Sequence, residues 1–187
     1  DSQSITMETS ADVKTYKIKV DSKPLNVNFN KGNKVLCKLY FSKPKNDWLY
    51  QLNNSPDAID RITALIGLKD FINDDDVVDA IIVKLRNDNF WGVRCEAVKV
   101  LSTSKNKAVK EVYLKSIIDE RDSRIRRTYL LQLGIVLNNH PEEKENTAVL
   151  QYFLTNLIAN ETSYYSAADA VTALSDILAI DKIYDAV

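Results

Sequence analysis

Asn89–Leu101 reads NFWGVRCEAVKVL, and two other stretches repeat its plan: Asp57–Leu68, DAIDRITALIGL, and Asp122–Leu133, DSRIRRTYLLQL. An arginine recurs at Arg61, Arg94 and Arg126, at spacings of 33 and 32 residues. Three positions after it stands Ala64, Ala97 or Tyr129, and seven after it Leu68, Leu101 or Leu133. Tyr164–Leu174, YYSAADAVTAL, is a looser fourth copy with a longer period, Ala170 and Leu174 taking the places of Ala97 and Leu101. Self-similarity at a fixed period marks a stacked array of small units, none of which buries its core alone.

Working outward from these copies, the chain from residue 44 onward has a helical period. Ile59, Ile62, Leu65 and Ile66 recur at three- and four-residue steps, as do Val77, Val78, Ile81, Ile82 and Leu85. Ser55-Pro56-Asp57 suits a helix start. The acidic run Asn73–Asp76 ends one helix and favours the N-terminus of the next. Further helices are expected near 90–103, 107–120, 122–138, 143–159 and 163–180. The breaks fall at Asp88-Asn89, Ser104-Lys105-Asn106 and Asn138-Asn139-His140-Pro141.

Before that boundary the period is two. Lys17-Ile18-Lys19-Val20 and Leu25-Asn26-Val27-Asn28-Phe29 alternate polar and apolar residues, and Val35–Phe41 is a denser apolar run. Such alternation predicts strands with one apolar face. Ile5–Thr9 is a shorter candidate, and Lys31-Gly32-Asn33 a turn signal. Residues 1–43 therefore read as a β-strand segment, the end of a β-sandwich, and residues 44–187 as a helical repeat domain. The chain opens at Asp1 without an initiator methionine, so a fragment or processed product is expected, with more helix after Val187.

The unit D-x-x-x-V-R-x-x-A-x-x-x-L resembles short HEAT-type repeats. Tetratricopeptide and ankyrin signatures are absent. The resemblance implies a mainly α fold, a right-handed α-α superhelix of helical hairpins preceded by a few β-strands. It also implies that an arginine on each first helix pairs with aspartates at inter-repeat turns. The structural ladder expected on this ground comprises Arg61, Asp88, Arg94, Asp119 and Arg126. A guanidinium offers five donors in a fixed fork, so it can serve carbonyls and a carboxylate together. Partner binding is the alternative role for these arginines. Trp91, Tyr164 and Tyr165 open first-position helices, either as packing or as a partner-contact surface.

A longer resemblance spans the junction. The order Lys23–Asn33, then Val35–Phe41, Asp47-Trp48-Leu49-Tyr50-Gln51-Leu52 and Asp57-Ala58-Ile59-Asp60-Arg61 resembles the passage from β-sandwich to C-terminal helical domain in M1-family zinc aminopeptidases. Asn30 departs from the aspartate common there. That resemblance implies a non-catalytic C-terminal region that covers a catalytic domain elsewhere in the parent chain and shapes peptide access. Zinc is then expected in that catalytic domain alone. A stand-alone repeat scaffold for protein–protein interaction is the competing reading.

What the chain lacks limits its chemistry. A zinc peptidase site needs two histidines at i, i+4 with a glutamate between, and this chain has one histidine, His140. It is expected to be a solvated loop residue. Four glycines leave no phosphate-cradling loop. Arg121, Arg124, Arg126 and Arg127 cluster, but Asp119, Glu120 and Asp122 intersperse them. Net charge is −1 over 187 residues, so no field favours nucleic acid, and no apolar run approaches the ~20 residues of a membrane span. Nine lysines against five acidic residues give the first 52 residues a mild positive balance. Cys37 and Cys95 fall in different elements and are expected to stay unpaired, which favours a reducing compartment such as the cytoplasm.

Overall fold

The computed structural model describes residues 3–7, 15–140, 145–160 and 163–184, with backbone alone for 145–150, 152–153 and 176–184. The helices are α1 (Lys45–Asn54), α2 (Ala58–Leu68), α3 (Asp75–Asn87), α4 (Trp91–Leu101), α5 (Lys107–Asp119), α6 (Ser123–Asn139), α7 (Glu145–Asn160) and α8 (Tyr164–Tyr184). Their starts follow local chemistry. Asn106 accepts the Ala108 amide and Asp122 the Arg124 amide, each capping the helix that follows.

The helices stack in two layers. α2, α4, α6 and α8 lie side by side, each packed on the next, and α1, α3, α5 and α7 back onto this row. Each helix of the row presents its repeated leucine and its small residue to the core. Leu68, Leu133, Ala64 and Ala97 are fully buried. Tyr129, standing where the others have alanine, is buried too, with its ring edge-on to Tyr113 at 4.7 Å. The Tyr113 hydroxyl donates to the Tyr129 carbonyl at 2.7 Å, so the larger side chains leave no polar atom unserved.

The expected strands are not seen. Among the described residues there is no strand at all. Residues 15–43 run largely extended, and the one backbone–backbone bond that involves them closes the turn, from the Asn33 amide to the Asn30 carbonyl. A period of two dictates which side of the chain is apolar, but a ladder also needs a neighbouring chain in register. The apolar residues here meet none. Leu36 is wholly exposed and Tyr40 is 81% exposed. The Lys31-Gly32-Asn33 signal is a single 3-10 turn, with Asn30, Gly32 and Asn33 at positive φ. The candidate Ile5–Thr9 lies partly outside the described residues.

The extended segment nevertheless has a fixed seat on α1 and α2. Asp60, buried in α2, accepts the Asn28 side-chain amide at 2.9 Å, the Gly32 backbone amide at 3.0 Å and the Ser55 hydroxyl at 3.3 Å. Gln51 of α1 bonds the Asp60 carbonyl at 2.8 Å. Asn28 thus faces α2 and Asn26 faces the Lys43 ammonium, while Leu25 and Val27 between and beside them are exposed.

Candidate functional site

The repeated arginines organise one edge of the stack. Arg61 of α2 grips Asp88 with two parallel bonds, Nε to Oδ2 at 2.7 Å and Nη2 to Oδ1 at 2.9 Å. Its Nη1 serves the Ser55 and Pro56 carbonyls at 3.1 and 2.8 Å. Asp88 Oδ1 also accepts the Phe90 amide at 3.0 Å, at the entry to α4. A single guanidinium therefore ties the turn before its own helix to the turn before the next one.

Arg94 of α4 repeats the plan one unit on. Nε donates to the Leu85 carbonyl at 3.0 Å and Nη2 to Glu120. Glu120 Oε1 accepts the Asp122 amide at 2.8 Å, at the entry to α6. Arg126 donates Nη1 to the Glu120 carbonyl at 2.9 Å. Glu120 thus stands where Asp119 was expected, and Asp119 is exposed at the end of α5. Spacing explains the correction. Asp88 lies six residues before Arg94 and Glu120 six before Arg126, so one turn geometry places both carboxylates. Asp119 is one residue out of that register. Ser55, six before Arg61, offers its carbonyl in the same place.

A second set of bonds joins the turns at the other edge. Ser104 Oγ donates to the Ile72 carbonyl at 3.0 Å, and Asn106 bonds Asp75 at 2.7 Å. One repeat further, Asn139 bonds the Ser102 carbonyl at 3.0 Å, and the His140 ring lies 3.1 Å from the Ser104 carbonyl. His140 is therefore a half-buried link between stacked turns rather than a solvated side chain.

The aromatics at the helix starts form an exposed row. Trp91 is 39% exposed, Tyr165 64% and Tyr164 81%. Two arginines of α6 reach to either side: Arg124 lies 4.4 Å over Trp91 of α4, and Arg127 5.0 Å over Tyr165 of α8. Both are also held by carboxylates, Arg124 by Asp122 and Arg127 by Asp169. The Arg124 bonds hold the Asp122 carboxyl at about 2, below its ordinary range. The α6 cluster is consequently committed to internal pairs and ring faces. An open groove over Ser55, Arg61, Val83, Lys84, Asn87 and Asp88 is polar, and its arginine and aspartate already satisfy each other.

Among the described residues no three His, Cys, Asp or Glu side chains gather to hold a metal ion. Cys37 is exposed and Cys95 buried, both as free thiols. Burial raises the Cys95 thiol, with the Thr128 hydroxyl and the Arg124 carbonyl beside it. No helix among the described residues is long and apolar enough to cross a membrane.

Comparison with known proteins agrees with the repeat geometry. Residues 46–134 match the family model of HEAT repeats, a span that takes in all three clear copies. No curated protein and no solved structure matches the chain. Over that span the chain is similar to a helical repeat scaffold.

Proposed function

We propose that this chain is a non-catalytic repeat scaffold whose task is to cover a protein surface, and that the covered protein is the catalytic part of an M1-like zinc aminopeptidase. The observation that carries this reading is the extended segment 15–43. Asn28 and Gly32 seat the middle of it on α2 through Asp60, while Leu25, Val27, Leu36 and Tyr40 stand exposed. An alternating run anchored at its middle, with these apolar residues bare, suits a strand that completes a sheet supplied by other protein. The same residues carry the resemblance to the aminopeptidase junction. In this reading the array shapes peptide access, and zinc chemistry resides wholly outside this chain.

The test compares two preparations. The isolated chain is expected to bind no stoichiometric zinc and to cleave no aminoacyl amide. The protein encoded by the whole reading frame is expected to do both, with activity lost to a zinc chelator. Activity in the isolated chain would overturn the non-catalytic role. A whole protein without zinc would overturn the aminopeptidase assignment and leave the scaffold.

A free-standing scaffold is the second reading, favoured by the exposed row of Trp91, Tyr164 and Tyr165. Aromatic side chains beside arginine are the composition of binding hot spots. Under that reading, replacing both Tyr164 and Tyr165 by Ala abolishes capture of a specific partner without lowering the melting temperature.

A further inference from the structure

Lys43 is an unusual cation. It is 7% exposed, whereas lysine is almost never buried without a charged partner. Its Nζ donates to Asn26 Oδ1 at 2.9 Å and to Gln51 Oε1. It sits 4.4 Å over the Trp48 ring and 5.3 Å from the centroid of Phe41. No carboxylate lies within ion-pair distance of it among the described residues. Asn26 and Phe41 belong to the extended segment, and Trp48 and Gln51 to α1. The ammonium is therefore the point where the two parts of the chain close on each other, and only neutral amides and ring faces solvate it.

The surroundings are rigid. Trp48 is buried and lies flat against Gly67 of α2, so closely that a Cβ there would overlap the indole. Gln51 is buried and bonded to the Asp60 carbonyl, and so cannot swing away without opening a second contact. The charged groups facing Lys43 are Asp47 on α1 and Asp60 on α2. Asp60 is occupied by Asn28, Gly32 and Ser55.

We propose that Lys43 is a proton-controlled clasp between the extended segment 15–43 and the helical array, and that loss of its proton tightens the clasp. The physical reason is the cost of taking a full charge out of water, which two ring faces and two amide oxygens offset only in part. A neutral amine keeps two N–H donors, enough for Asn26 and Gln51, and sheds that cost. Burial is the larger influence on the amine and lowers it from 10.5 to about 8, against the attraction of Asp47 and Asp60.

The direction follows from proton counting. With the segment released, Lys43 is an ordinary exposed lysine near 10.5. Seated, it gives up its proton near 8. Between those values the seated state binds fewer protons than the released state, so seating strengthens as pH rises through that window. Below about 8 both states are charged and the full cost of burial is present. Loosening at neutral pH frees the segment to rearrange onto a partner, and alkaline conditions lock it to the array.

The experiment uses the full chain with Trp91→Phe, which leaves Trp48 as the sole tryptophan. Its emission is followed from pH 6.5 to 10, with Lys43→Met as the baseline for exposed tyrosines, which ionise at about pH 10. A transition well below the ordinary lysine range is expected, absent in Lys43→Met. Because that variant could also unseat the segment, Asn26→Asp is measured beside it. A carboxylate placed against Nζ favours the charged form and should move the transition up by a pH unit or more. In parallel, tryptic cleavage at Lys17–Lys38, compared between parent and Lys43→Met at each pH, should slow in the parent alone as pH rises. An unchanged transition in Asn26→Asp, the same transition in Lys43→Met, or cleavage with identical pH dependence in both proteins overturns the proposal.

Discussion

At the scale of single residues, the repeated arginines differ in what their loss would expose. The Arg61 side chain is 13% exposed and its partner Asp88 only 4%. Removing Arg61 strands a nearly buried carboxylate and frees two carbonyls. Arg94 is 26% exposed and Glu120 7%, so water can reach more of that pair. Arg61→Ala should therefore cost about 3 kcal/mol and Arg94→Ala about 2 kcal/mol, given the 3–5 kcal/mol typical of breaking a fully buried pair. In a chain of this size about 3 kcal/mol lowers the melting temperature by roughly 6–12 °C. Thermal melts of the two variants check both the magnitude and the order, and equal shifts would contradict the ranking by burial.

At the scale of elements, helix starts are where local sequence and stacking meet. Asp122 caps α6 by accepting the Arg124 amide at 2.9 Å and binds the same residue's guanidinium at 2.7 and 3.0 Å. Its carboxyl is depressed from 3.8 to about 2, chiefly by the Arg124 side chain. A depressed acid contributes stability that is complete above its ordinary value and is lost as pH falls. The contribution should fade between pH 3.8 and about 2. Asp122→Ala should lose about 1 kcal/mol at neutral pH, the usual worth of such a cap. Urea melts of parent and variant should converge at the acid end of that window, and a constant gap down to pH 2 would show that the charge is not what matters.

The helices were legible because a 3.6-residue period is a property of one segment alone. Their ends agreed to within a few residues wherever a cap or an acidic turn was present, as at Asn106 and Asp122. The strands were not legible in the same sense. Alternation in Leu25–Phe29 describes a single chain, while a ladder is a property of two. The seat of the extended segment was invisible for a different reason. Lys43, Gln51 and Asp60 are residue types that read as surface, and only packing reveals that all three are buried. The acidic partner of Arg94 could have been found, since counting six residues back from each following arginine gives Asp88 and then Glu120.

At the scale of the whole molecule, the array is a row of nearest-neighbour contacts, with one set of bonds joining the turns at each edge. Among the described residues the central units are thus held at both edges, and the polar links between α4 and α6 are among the innermost. Cys95 lies there, buried against Thr128 and the Arg124 carbonyl, while Cys37 stands in the open on the extended segment. The two thiols amount to a pair of clocks. A thiol reagent should label Cys37 at the rate of a free cysteine. It should label Cys95 only as often as the middle of the row opens, a slow second phase visible by mass. The ratio of the two rates reads the opening free energy of the central repeats from the untouched chain, and Arg94→Ala should shorten the slow clock while leaving the fast one as it was.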